Sequence, residues 1–124
     1  MHTRIIAWSI QFDDLFFIEA ASFETTVRAE LAACLILLRE FGPALKRPHC
    51  DALKGSRHAN MKELRFATDD GVWRVAFAFD PKRSAIMLVA GDKSGAGEKR
   101  FYKKLIATAD DRFDAHLALL KKKK

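Results

Sequence analysis

The run Lys62-Glu63-Leu64-Arg65-Phe66, then Asp69-Asp70-Gly71, then Val72-Trp73-Arg74-Val75-Ala76-Phe77 limits most sharply what this chain can fold into. Apolar and polar residues alternate on both sides of an Asp/Gly turn, as in a β-hairpin. A two-residue loop at Asp70-Gly71, with glycine accepting positive φ, pairs position 67 with 74 and 65 with 76. Directly opposed residues share a face, as do residues two apart. Arg65, Arg74 and Ala76 then stand on one face, and Leu64, Phe66, Trp73, Val75, Phe77 and Phe79 on the other. The arginine face is expected to be open. Two accounts of it stand: a clamp for an anion such as a phosphodiester, or a polar cover for a half-solvated sheet.

The remaining elements follow from periodicity. Ile6, Trp8, Ile10 and Phe12 alternate with polar or small residues, which predicts a strand. Asp13-Asp14 opens a short helix. Ser22 is the expected N-cap of a second helix, whose stripe runs Val27, Leu31, Cys34/Leu35, Leu38 and Phe41 until Gly42-Pro43 stops it. Residues 43–60 read as a mostly irregular connection. Beyond the hairpin, Asp80 to Ser84 is a turn and Ala85 to Ala90 a central strand. A final helix from Glu98 carries Tyr102, Leu105/Ile106, Ala109, Phe113, Leu117 and Leu120 on one stripe. The expected fold is α+β in the order β-α-α-β-β-β-α. It is a small, twisted, mostly antiparallel sheet, with an N-terminal helical hairpin packed on one face and a C-terminal helix. The chain reads as a single domain, residues 1–120, with a basic tail at 121–124.

Charge narrows the partners. Residues 1–42 hold three Lys/Arg against six Asp/Glu, whereas residues 43–104 hold fourteen against seven. A basic middle suits nucleic acid or an acidic protein, and a solubilising surface is the alternative. No apolar run reaches the roughly 18 residues of a membrane span, and Met1-His2-Thr3-Arg4-Ile5 lacks the pattern of a signal peptide. Cys34 and Cys50 have no zinc-like spacing and read as thiols of a reducing compartment, so the expected location is cytoplasmic.

Several polar residues gather near the arginine pair. Lys93 follows the last strand, and Lys54, Lys62, Lys99 and Arg100 are rim candidates for backbone contacts with RNA. Tyr102 has two readings, a core tyrosine with a satisfied hydroxyl or a group beside the substrate. His58, in a basic loop, is a candidate for RNA contact and acid–base work, while His116 is expected to be structural. Glu63 and Asp92 read as ion partners of the cations. Gly91-Asp92-Lys93-Ser94-Gly95 lacks the spacing of a Walker loop, which argues against a nucleotide cofactor, and no His/Cys/Asp cluster suggests a metal.

In order along the chain stand Gly42-Pro43, Asp51-Ala52-Leu53-Lys54-Gly55-Ser56, Asn60-Met61-Lys62-Glu63-Leu64-Arg65, Trp73-Arg74-Val75-Ala76-Phe77, Leu88-Val89-Ala90-Gly91-Asp92-Lys93 and Glu98-Lys99-Arg100-Phe101-Tyr102-Lys103. This set resembles the RelE/ParE toxin superfamily, in its HigB-like, phage-associated branch. The resemblance implies a toxin of a type II toxin–antitoxin system. It would be an mRNA interferase working on the ribosome without metal or cofactor, by attack of a ribose 2′-OH on the adjacent phosphate. Arg74 matches an arginine held against the scissile phosphate, Lys93 a basic residue that stabilises the transition state, and Arg65 a basic residue of the preceding strand. Tyr102 matches a late aromatic residue that stacks or assists proton transfer. The implied partners are mRNA and a cognate antitoxin of helix-turn-helix type. Ala90 stands where many HigB-like proteins carry histidine, which leaves the general base open among Lys93, Tyr102 and His58. Two alternatives are a gyrase-directed toxin on the same fold and a non-catalytic RNA-binding protein.

Overall fold

The computed structural model describes residues 7–95 and 97–123. Its elements are β1 (Ser9–Phe12), α1 (Asp14–Ala21), α2 (Thr25–Phe41), a 3-10 turn (Gly42–Ala44), β2 (Cys50–Ala52), β3 (Met61–Thr68), β4 (Gly71–Phe79), β5 (Ser84–Asp92) and α3 (Glu98–Lys122). The fold is α+β, as expected from the sequence. The sheet order is β1-β5-β4-β3-β2, with β1 parallel to β5 and every other pair antiparallel. Ile6, expected in the first strand, lies outside the described residues. The last helix runs into the basic tail through Lys122. None of the described helices is long and apolar enough to cross a membrane.

Local chemistry accounts for most boundaries. Asp13 caps α1 by accepting from the Phe16 N–H at 3.1 Å. Ser22 does not start α2: its hydroxyl donates to the Glu19 carbonyl at 2.7 Å, so it closes α1 instead. Gly42 ends α2 with φ +54, and a side chain there would also meet the Trp8 ring at 2.2 Å. Within the connection read as irregular, Cys50–Ala52 pairs with Leu64–Lys62 as β2, a strand too short to show a period.

The hairpin turns one residue earlier than expected. Thr68 opposes Gly71, so the loop is Asp69-Asp70, and Arg65 lies directly opposite Arg74. Gly71 does not take positive φ. It is needed for space, because a side chain there would meet Asp92 Oδ2 and Trp73 Nε1 at 2.7 Å. The shift is by two positions in the pairing sum, so both arginines still share a face.

That face is not open, which corrects the sequence reading. Leu64, Val75, Phe77 and Met87 pack against Phe16, Leu31 and Leu38 of α1 and α2. On the opposite face Met61, Ala76, Ala78, Ile86 and Leu88 pack under Leu105, Ala109 and Phe113 of α3. The sheet is therefore covered on both sides. Fully buried side chains such as Phe16, Phe77 and Phe113 each stabilise the fold by about 1.5–3 kcal/mol. Residues 53–58 are tied to α3 through Asp110, which is buried and accepts from the Ser56 hydroxyl and the Arg57 N–H.

Candidate active site

A β-bulge between β4 and β5 brings α3 onto the arginines. The register shifts between Ala76 and Phe77, so Leu88 is an extra residue in β5 and Gly91 falls opposite Arg74. A side chain at Gly91 would meet Phe101 Cε1 at 2.8 Å. The bare glycine therefore seats the first turn of α3 against the sheet, and the next residue, Tyr102, crosses Arg74 and Glu63.

Glu63 is the hub of the resulting cluster. Its Oε2 accepts from Arg65 Nη1 at 2.8 Å, and its Oε1 accepts from the Tyr102 hydroxyl at 2.8 Å. The Tyr102 oxygen accepts in turn from Arg74 Nε at 3.2 Å, and Arg74 Nη1 donates to the Trp73 carbonyl at 2.9 Å. Glu63 is 4% exposed and Arg74 6%, so both charges survive burial only through this pairing. Burial, and then donation to Glu63, push the Tyr102 phenol above its ordinary pKa and keep it protonated. Tyr102 thus has a satisfied hydroxyl, as one of its two sequence readings expected.

Lys93 stands on the other side of Tyr102, its Nζ 6.0 Å from the ring centroid and 3.0 Å from Glu98 Oε1. The hydrogen bond from Lys93 lowers the Glu98 carboxyl. Asp92 is not an ion partner, although the sequence suggested one. Burial works against its charge, but donors from Ser94 and Val72 outweigh that and hold its carboxyl below the usual range. Its role is to fasten the β5 end to the hairpin.

Two cavities meet at Arg65. One, of about 580 Å³, is a cleft lined by Arg47, Asp51, Lys54, Glu63, Arg65, Lys93, Glu98, Lys99 and Tyr102. The other, of about 450 Å³, lies at the hairpin end and is lined among others by Glu30, Pro48, Arg65, Ala67, Val72 and Arg74. The structure thus brings Lys54, Arg65, Lys93, Lys99 and Tyr102 to one cleft. It does not place Arg74 in that cleft: its side chain is buried against the Tyr102 hydroxyl, and Arg74 is among the residues around the second cavity.

Three further expected residues stand elsewhere. Lys62 is at an even position of β3, opposite Phe77, which puts it on the α1/α2 side of the sheet. Arg100 lines a different hollow with Phe101 and Lys104. His58 bonds Asp114 at 2.7 Å and packs edge-on against Phe113, while Arg57 pairs with Asp114 as well. Asp114 is twelve residues beyond Tyr102 on α3, about 18 Å along the helix, so His58 is not a base for this cleft. His116 bonds the buried Asp80, which caps the turn into β5, and is structural as expected. Sequence reasoning missed Arg47, Asp51 and Glu98. Arg47 and Asp51 pair at 2.8 Å across a spacing of four, a pattern with no meaning until β2 is known.

Comparison with known proteins bears on the family and the fold. Residues 19–114 match the family described as "Phage derived protein Gp49-like (DUF891)". Over 87 residues the chain is 48% identical to "Putative toxin HigB2" of Mycobacterium tuberculosis, covering 69% of this chain and 43% of that protein. It therefore spans less than half the length of that relative. It is also 44% identical over 90 residues to "Putative toxin HigB3" of the same organism, covering 73% of this chain and 76% of that one. A mutant of the E. coli toxin RelE in the free state superposes with a TM-score of 0.56 at 16% identity, over 82% of this chain and 95% of that one. At that identity the likeness concerns the fold.

Proposed function

We propose that this chain, which belongs to the Gp49-like family of phage-derived proteins and to the HigB-like toxins of the RelE/ParE superfamily, is the toxin of a type II toxin–antitoxin pair and acts by cutting mRNA. The observation that carries the reading is the cleft in which Arg65, Lys93 and Tyr102 converge on a space of about 580 Å³. Two cations and a phenol around one space suit a phosphodiester gaining charge.

In the proposed reaction the ribose 2′-OH attacks the adjacent phosphorus and the 5′-oxygen leaves. Arg65 is held by Glu63 with its remaining N–H groups available to non-bridging oxygens. Lys93 exchanges Glu98 for the 5′-oxygen and gives it a proton as the P–O bond breaks. Tyr102 accepts the 2′-OH proton as it passes its own proton to Glu63, along the hydrogen bond already present. Arg74 acts through Tyr102 as a positioning residue. Lys54, Lys99 and Arg47 line the approach and contact the RNA backbone. The mRNA is presented by the ribosome, and the protein partner is an antitoxin.

The test is cleavage of a defined mRNA in a ribosome-containing extract, mapped by primer extension. Wild type gives discrete cuts, while Arg65→Ala and Lys93→Ala each slow cutting by about 10²–10³-fold. Intact mRNA in the presence of folded wild-type protein overturns the reading. Cuts that survive in both variants overturn the assignment of the residues.

A further inference from the structure

The bulge that seats α3 is held from outside the ladder. Strand β1 ends at Phe12, opposite Met87, so the extra residue Leu88 has no strand beside it on that edge among the described residues. Its carbonyl goes to Arg112 of α3, whose Nη1 donates to it at 2.8 Å. The same guanidinium is gripped by Glu19 of α1: Nη1 donates to Oε1 at 2.8 Å and Nη2 to Oε2 at 2.7 Å. Asp13 Oδ2 stands 3.7 Å from its Nε. Because α1 and α3 pack on opposite faces of the sheet, this pair joins the two layers at the level of the bulge.

The bond is sensitive to register. Met87 turns its carbonyl towards β1, where it accepts from the Asp13 N–H at 2.9 Å. In a regular strand the next carbonyl points the opposite way, into the β4 ladder. That of Leu88 meets Arg112 instead, so the guanidinium rewards the bulged arrangement and not the regular one. Without the extra residue, Leu88 would oppose Ala76 and Ala90 would oppose Arg74. Ala90 would then turn to α3, and a methyl group would stand where Gly91 leaves room for the Phe101 ring.

We propose that Arg112 is a positioning residue for the Lys93 cleft, although it lies ten residues beyond Tyr102 on α3, about 15 Å along the helix. By holding Leu88 in the bulge it keeps Gly91 opposite Arg74, which seats Phe101 and sets Tyr102 over Glu63. Glu19 acts through Arg112: the hydrogen bond from the guanidinium lowers the Glu19 carboxyl and keeps it a carboxylate. The inference rests on that cleft being where mRNA is cut.

The test pairs two measurements on the full chain. One is the nuclear Overhauser contact between the Gly91 α-protons and the Phe101 ring, and the other is kcat and KM for mRNA cleavage on ribosomes. Arg112→Met keeps the aliphatic stem without a donor. It loses the contact and about 10²-fold in kcat, while KM stays within about twofold because Lys54, Arg65 and Lys93 still line the cleft. Glu19→Gln loosens the guanidinium, weakens the contact and lowers kcat about tenfold, which keeps the test decisive if Arg112→Met does not fold. Asp110→Ala, two residues away on α3, loses stability but keeps the contact and the kcat of the folded protein. If folded Arg112→Met, or Glu19→Gln in its place, keeps kcat, the proposal is overturned. It is equally overturned if Asp110→Ala loses contact and kcat to the same degree, since Arg112 then does no more than stabilise α3. If wild type cuts no mRNA while Arg112→Met still loses the contact, the hold on the bulge stands and the cleavage reading falls.

Discussion

Tyr102 donates its hydroxyl proton to Glu63 Oε1 at 2.8 Å, across the gap between α3 and β3. The bond joins the sheet that carries the arginines to the helix that roofs them. It makes Glu63 both the counter-charge of two guanidiniums and the anchor of the first turns of α3.

Removing the carboxylate therefore costs more than removing the phenol. Glu63→Gln leaves Arg65 and the buried Arg74 without their counter-charge and lowers stability by about 2–4 kcal/mol. Tyr102→Phe leaves Glu63 still paired with Arg65 and costs about 1 kcal/mol. Urea denaturation of the two single variants and the double variant checks this. The double variant is more stable than additivity predicts, with a coupling of about 1 kcal/mol.

The loop that carries His58 separates stability from activity. Asp110 is buried and accepts from the Ser56 hydroxyl and the Arg57 N–H, so Asp110→Ala orphans two donors and costs about 2–3 kcal/mol. His58→Gln, by contrast, leaves mRNA cleavage within about twofold of wild type, because its partner Asp114 lies far along α3 from Tyr102. Parallel melting curves and cleavage assays distinguish the two. A hundredfold loss of cleavage in His58→Gln with the fold intact would return it to the site.

The alkaline limit of stability is set in part by two thiols. Burial pushes Cys34 and Cys50 each up to about 11, while the same groups in the unfolded chain ionise near 9. Between these values the unfolded state has already released protons that the folded state retains. The contribution is whole below pH 9 and disappears as pH rises through 11. Each thiol accounts for about 2–3 kcal/mol of that loss. Chemical denaturation at pH 8 and pH 11 measures it, with Cys34→Ala and Cys50→Ala flattening the decline. At pH 8 both cysteines resist alkylation in the native protein and react at once in denaturant.

Strand and helix periods made most elements legible, because a two-residue or 3.6-residue repeat of apolar groups needs only local sequence. The hairpin parity survived a wrong loop for the same reason: shifting the turn from Asp70-Gly71 to Asp69-Asp70 changes partners but not faces. The roof over Arg74 was not legible. That α3 covers the arginine face depends on the extra residue Leu88 in β5, which turns Gly91 towards Phe101, and a bulge leaves no mark in a run as uniformly apolar as Ala85 to Ala90. The candidate site was legible in residue type but not in geometry. Arg65, Lys93 and Tyr102 were identifiable by type and position, while the burial of Arg74 and the place of His58 required knowing where a helix lies.

Gly91 offers the sharpest test of that roof. A methyl group at this position meets Phe101 Cε1 at 2.8 Å, and a flexible ring edge is what must move. Gly91→Ala therefore does not unfold the protein: Phe101 turns aside and the start of α3 lifts, at a cost of about 1–3 kcal/mol. Tyr102 is the next residue, so the lift lengthens its bonds to Glu63 and Arg74. Cleavage falls by about 10²-fold or more, a loss out of proportion to the stability change, because a displacement of roughly 1 Å at a positioning group is enough to uncouple it from the reacting atoms. Measuring cleavage and denaturation on the same preparation checks the disproportion. If activity tracks the folded fraction alone, Gly91 serves packing and the α3 roof does not position Tyr102.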